Sequence, residues 1–248
     1  MVISARLALC LALLSSCPFL QGQDSQSPNP QPGTVKENTP VFVDLLRSDL
    51  AATWKHYAAD EAVPLNQVWK IVRETAESEP VLVCTGQPKG FLFTTESFDD
   101  FEMTLQWRYP TDANGNSGIL VYTQNERRIW PSSIQVQFHQ PKAGSIFPSG
   151  DARSANTSDA KPALAKPVGM WNECRIVSRS GQLSVEINGE KAGEISGSEP
   201  ASGHIALQSE GSEVHFRRIL IRRIKKDDKQ EAPPASPDGN KASTGKTE

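Results

Sequence analysis

The chain is short of the features that would carry it to nucleic acid or through a membrane. It has no charge excess: 26 Lys and Arg stand against 29 Asp and Glu in 248 residues, so no basic field draws it toward nucleic acid or anionic lipid. It has no long apolar run. The nearest candidate, Leu7 to Leu14 behind Arg6 in MVISARLALCLALLSSCPFLQGQ, is too short to span a bilayer and fits the apolar stretch of a secretory signal. No transmembrane helix is expected in the mature chain. Cysteine is scarce: of the four, Cys10 lies in the leader, and no pair has the spacing of a zinc or redox motif. Helical periodicity is nearly missing too, whereas short alternating runs bounded by Gly, Pro, Asn and Asp recur throughout. That excludes a helical bundle and favours an all-β protein.

What is present divides the chain in four. Residues 1–22 read as a signal peptide, with ordinary cleavage near Gly22. LLSSC also resembles a lipobox ending at Cys17, in which case a lipid anchor would sit on that cysteine. Either way the protein is expected to be exported, to the periplasm, the outer envelope or the medium. Residues 23–40, rich in Pro, Gln, Ser and Asn, cannot bury enough apolar surface to offset the entropy of ordering and read as a disordered linker. The polar stretch 225–248 reads as a tail, which leaves 41–224 as the folded domain. One domain of this length is ordinary for an all-β fold.

Inside the domain, DFEMTLQWRYP sets Phe101, Met103, Leu105 and Trp107 against Glu102, Thr104, Gln106 and Arg108, one apolar face and one polar. Ten further runs, from VWKIV to VHFRRILIRRI, predict a sandwich of two antiparallel sheets with helix confined to short turns. Asn188-Gly189 between QLSVEI and EKAGEI predicts a type I′ hairpin, since both central residues need positive φ. The segment from Pro148 to Val168 reads as a long irregular loop. Cys84 in VLVC and Cys174 are expected as core thiols, the alternative being a disulfide between them. Trp107 and Trp171 are expected in the core by alternation.

The stretch RIWPSSIQVQFHQPKAGSIF puts Gln135 and Gln137 on one strand face, with His139 continuing it. Paired amides offer donors and acceptors suited to sugar hydroxyls, although solvated residues on a sheet face would look the same. His139 is the candidate base, with an ordinary pKa of about 6.5. Arg108 is a candidate for holding an anionic oxygen, or for an ion pair with an acid such as Glu102. Trp130 is a candidate sugar-stacking residue. Asn116 in GNSG reads as a turn former or a ligand.

In their order and spacing, CTGQPKGFLFT, DFEMTLQWRYP, NGNSGILV, WPSSIQVQ, KPVGMWNECRI, INGE and GHIALQSEGSEVHFRRI resemble the 3-keto-disaccharide hydrolase domain family. The resemblance implies a concanavalin A-like jelly roll of secreted bacterial proteins, planctomycete ones among them, acting on oxidised sugars. A 3-keto group acidifies the C2 proton; a base then drives elimination of the glycosidic leaving group, and water adds. A divalent metal serves as the electrophile in some versions of such chemistry. Family members typically carry Glu in the motifs matching LQWR and IQVQ and Asp in that matching AGSIF, where this chain has Gln106, Gln135 and Ser145. An amide accepts no proton at neutral pH, so the resemblance implies catalysis weakened at these positions. The partner implied is carbohydrate, an oxidised glycoside or glycan. The candidate catalytic residues are then His139, Gln135 and Arg108, and the candidate binding residues Gln106, Gln137, Trp130 and Asn116. Three function classes stay open: an enzyme on 3-keto glycosides, a lectin-like binding module, and a structural domain of the envelope.

Overall fold

The computed structural model describes residues 41–46 and 49–225; the expected signal peptide with Cys17, the linker, and the tail beyond residue 225 lie outside the described residues. The elements run β1 Val43–Asp44, α1 Leu50–Thr53, β2 Trp54–Ala58, α2 Leu65–Val68, β3 Trp69–Val72, β4 Val81–Cys84, β5 Gly90–Phe98, β6 Phe101–Arg108, β7 Gly118–Thr123 and β8 Ser133–Gln137. They continue with a 3-10 turn at Gln140–Lys142, β9 Ile146–Ser149, β10 Asn172–Arg179, β11 Gln182–Ile187, β12 Glu190–Ile195, β13 Gly203–Ser209 and β14 Val214–Arg223. Among the described residues helix is indeed confined to single turns, and no helix is long and apolar enough to cross a membrane.

Two antiparallel sheets form a jelly-roll sandwich. One has the order β12-β11-β10-β6-β14-β4-β3, with β1 added on β14; the other has the order β2-β5-β13-β7-β8-β9. Alternation decides what lies between them. Phe101, Met103, Leu105 and Trp107 of β6 share a core with Ile119 and Val121 of β7, Ile134 and Val136 of β8, and Leu207 of β13. Trp107 stacks on Phe138 at 4.1 Å and 6°. Each large apolar side chain buried this way stabilises the fold by about 1.5–3 kcal/mol. Period two then sends the intervening residues outward, to the two outer faces of the sandwich.

Local signals act as the chemistry demands. Asn188 has φ 53 and Gly189 φ 82, the positive pair that the β11–β12 hairpin requires. Asn188 also donates through Nδ2 to Leu164 O at 2.7 Å and to Asn172 Oδ1 at 3.0 Å, so the turn anchors a neighbouring loop. The segment after β9 is irregular yet tied down by bridges Ile146↔Ser158 and Arg153↔Glu199. Cys84 and Cys174 are buried free thiols, with Cys84 pushed up to about 11 by burial.

One expectation fails. Trp171 is not core: Asn172 and Cys174 are the inward residues of β10, so Trp171 falls on the outer face with Glu173. There it lies against the guanidinium groups of Arg108, 4.6 Å from the ring centroid, and Arg217, 4.2 Å.

Candidate functional site

The outer face of the six-stranded sheet carries both an apolar cluster and a set of amides. Phe91, Phe93, Leu120 and Ala206 form a cluster separate from the main core, with Tyr57 packed against it. Tyr57 and Phe91 lie 5.2 Å apart and Phe91 and Phe93 5.5 Å, so the aromatics run as a strip along β2 and β5. Beside them, across β13, β7 and β8, four side-chain amides join. Gln135 Nε2 donates to Gln208 Oε1 at 3.2 Å and Gln208 Nε2 donates back to Gln135 Oε1 at 3.3 Å. Gln135 Nε2 also donates to Gln137 Oε1, and Gln137 Nε2 to Asn116 Oδ1 at 3.0 Å.

The GNSG motif is the local device that makes room for this network. A Cβ on Gly115 would stand 2.3 Å from the Tyr109 ring, and one on Gly118 would stand 2.6 Å from Gln208 Oε1 and 2.8 Å from Val136 O. Neither space exists. Between them, Asn116 supplies the terminal amide, its own N–H donating to Ser212 Oγ at 3.1 Å. Ser117 Oγ donates to Gln208 O at 2.8 Å and fixes the strand that carries the fourth amide. Gln135 is 8% exposed and Gln208 2%. At such burial an amide left without partners would cost about 1–3 kcal/mol, so the reciprocal pairing holds them there.

The structure brings together Gln135, Gln137 and Asn116, and adds Gln208, which sequence reading missed. Its signal was available: in GHIALQSEG the alternation that buries Ile205 and Leu207 puts Gln208 on the opposite face. His139 lies two residues beyond Gln137, where β8 has given way to the 3-10 turn, and is half-buried. Ser145, at the third of the family's acidic positions, donates through Oγ to Lys142 O at 3.2 Å. Trp130 is 41% exposed in the loop before β8.

Gln106 and Arg108 are elsewhere. They sit on β6 in the other sheet and face away from the shared core, on the opposite outer face of the sandwich. Gln106 Oε1 accepts from Arg217 Nε at 2.7 Å and its Nε2 donates to Glu173 at 3.3 Å. The expected pairing of Arg108 with Glu102 does not form: six residues apart on one strand they stand about 20 Å from each other, and Glu102 pairs instead with Arg175 at 2.7 Å and Arg222 at 2.6 Å. A single cleft holding Gln106, Arg108 and Gln135 is therefore not what this fold builds.

Chemically, the amide face can donate and accept hydrogen bonds but cannot change charge. A divalent cation prefers charged oxygen ligands, and this cluster offers neutral carbonyl oxygens, most of them already accepting from one another. Among the described residues no group of three or more His, Cys, Asp and Glu is placed to hold a metal ion. The residues present do not fit a tightly held divalent metal.

Comparison with solved structures finds the same sandwich. A Parabacteroides distasonis ATCC 8503 "putative glycosyl hydrolase" matches with TM-score 0.51 and 22% identity over 69% of this chain and 99% of that one. A second protein so described from that organism matches with TM-score 0.50 and 18% identity, over 70% and 89%. A Bacillus subtilis protein of galectin-like fold matches with TM-score 0.51 at 10% identity, over 74% and 94%. At these identities the likeness is one of fold. No curated protein matches the sequence significantly. The sequence itself is more specific than the fold: its agreement with the family pattern runs over residues 46–222, nearly the whole sandwich, and the chain therefore belongs to the 3-keto-alpha-glucoside-1,2-lyase-like domain family, a family of carbohydrate-active domains.

Proposed function

We propose that the amide face of the six-stranded sheet binds an oxidised glycoside, and that the domain turns over 3-keto glycosides slowly. The observation that carries this reading is the four-amide network Asn116–Gln137–Gln135–Gln208 beside an aromatic strip. Sugars combine hydroxyl edges with apolar C–H faces; the half-buried Gln137, Asn116 and Tyr57 are the members of this face that reach solvent, whereas Gln135, Gln208, Phe91 and Phe93 are buried and hold them in place. Elimination from a 3-keto glycoside requires a base to take the C2 proton as the C1–O bond breaks and the leaving oxygen is protonated. A carboxylate at Gln135 would serve, whereas the amide cannot, and loss of a general base costs about 10²–10⁴-fold in rate. His139, two residues beyond Gln137, supplies the residual proton transfer.

A second reading, binding without turnover, draws support from the same network, since amides satisfied by one another form a stable recognition surface. Incubation with a 3-keto glucoside, with product followed by mass spectrometry and binding by calorimetry, separates the two. Parent protein that binds and releases product slowly, with Gln135→Glu faster and His139→Ala inactive, is the expected result. Binding without product in the parent and in Gln135→Glu selects the second reading, and no binding to any keto-glycoside refutes both. Export is part of the proposal, resting on Arg6 and the run Leu7–Leu14; intact mass showing Met1 retained on the protein in cells would count against it.

A further inference from the structure

The opposite outer face carries a cleft with two arginines in its wall that the amide site does not use. It has a volume of about 620 Å³ and is lined in part by Arg108, Trp171, His215, Arg217, Glu74 and Glu79. We propose that this cleft, on the outer face of the eight-stranded sheet, binds a carboxylate group through Arg108 and Arg217.

Arg108 is the reason. An arginine on a sheet surface ordinarily finds an acid, as Arg175 and Arg222 do in Glu102. Arg108 has no carboxylate partner among the described residues. Its Nε and Nη2 both approach His215 Nδ1 at 3.3 Å. That nitrogen accepts, so the ring proton lies on Nε2, which donates to Glu213 Oε1 at 2.8 Å. The imidazole facing Arg108 is thus neutral and leaves the guanidinium charge uncompensated, with Nη1 unused. The plane of Trp171 holds the group in place.

Arg217 comes from the neighbouring strand. A bulge in β14 between Arg217 and Leu220, with Arg218 at φ 51, brings two successive arginines to Glu79. Glu79 bonds Arg218 Nε at 2.6 Å and reaches Arg217 Nη1 at 3.4 Å, so one carboxylate is shared between two cations. Arg217 Nε is spent on Gln106 Oε1, and Nη2 has no partner. Burial and the charges of Arg218 and Arg108 lower the Arg217 pKa, against the pull of Glu79. The neighbourhood therefore gains from an added negative charge.

A carboxylate fits better than a dianion. Its two oxygens match the fork of a guanidinium, while Glu74 and Glu79 in the same lining repel a second negative charge. The source is either a free carboxylate or a uronic acid on a glycan, which the probes distinguish.

The test is titration of the full chain with acetate, glucuronate, inorganic phosphate and glucose, by calorimetry and by the shift of the Trp171 indole N–H signal. Acetate and glucuronate are expected to compete for one site that shifts Trp171, with phosphate weaker and glucose silent. Tighter glucuronate than acetate assigns the site to acidic sugars, and equal affinity to the carboxylate alone. Arg108→Gln, whose side chain leaves only a neutral His215 behind, should lose about 10- to 100-fold in affinity, the effect of one charge-assisted hydrogen-bond set. Arg108→Lys should recover part of it. Glucose binding as well as glucuronate, phosphate binding more tightly than acetate, or an Arg108→Gln variant with unchanged affinity and an unchanged circular dichroism spectrum would each overturn the proposal.

Discussion

Replacing Gly118 with alanine tests whether the amide network governs this part of the fold. Gly118 lies in β7, outside the left-handed region, so alanine meets no conformational objection there and crowding is the whole effect. The added carbon would stand 2.8 Å from Val136 O and 2.6 Å from Gln208 Oε1. The first contact is backbone, held in the β7–β8 ladder opposite Ile119, and cannot retreat. The second is a side chain, so Gln208 must give way and abandon its two bonds to Gln135. Overpacking costs about 1–3 kcal/mol, and a buried amide stripped of partners about 1–3 more. A loss of roughly 2–6 kcal/mol follows, a large part of the roughly 5–15 kcal/mol that holds an ordinary domain together. Urea unfolding followed by tryptophan fluorescence should show the midpoint falling with little change in slope. Gln208→Ala alone should cost less, and adding it to Gly118→Ala should recover part of the loss, because the truncated side chain clears the space. A Gly118→Ala protein as stable as the parent would refute the crowding argument.

Other expectations concern the rest of the sandwich. Glu102→Gln leaves Arg175 and Arg222 around a 6% exposed position without their shared charge; breaking a buried ion network of this kind costs about 3–5 kcal/mol, measurable as a drop in thermal midpoint. Burial raises the Cys84 thiol from 9.0 to about 11, so native Cys84 should resist alkylation at pH 8 and be labelled only after denaturation, as peptide mass mapping would show. Because the folded value lies above the unfolded one, the stability tied to Cys84 is complete below about pH 9 and is lost as pH rises toward 11; about 2–3 kcal/mol is at stake in alkaline urea titrations. Asn188→Ala removes the side chain that holds Leu164 O and Asn172 while keeping the positive φ, and should lower stability by roughly 1–3 kcal/mol in the same unfolding assay.

The strands of the domain were legible because most of them are amphipathic: β6, β10 and β11 alternate so regularly that their inward residues can be read directly. The strands that escaped have no such rhythm. β1 has two residues, β2 reads WKHYA with mixed polarity, and β9 contains Pro148. The site was half legible for a related reason. Period two tells which face of its own sheet a residue occupies, and so united Gln135 with Gln137. It is silent on which sheet a strand joins, and so could not separate Gln106 and Arg108 from them. Trp171 was misjudged by its bulk: alternation carried back through Cys174 and Asn172 sets it in phase with Glu173 and Arg175, on the outer face.

The amide network also has a direction. Its donors point one way, from Gln135 through Gln137 to Asn116, while Gln135 and Gln208 close on each other at the far end. A row of groups aligned like this is polarised, and its last member, the Asn116 amide, presents Nδ2–H to whatever arrives there. A guest that can only accept, as a ketone oxygen does, is satisfied at that end without reversing any other member. A guest that must donate there would require every amide in the row to turn over, giving up the alignment. At that end the face therefore offers a donor and no acceptor, which a ketone or a hydroxyl oxygen meets by accepting, whereas a group that can only donate, such as an ammonium, is turned away.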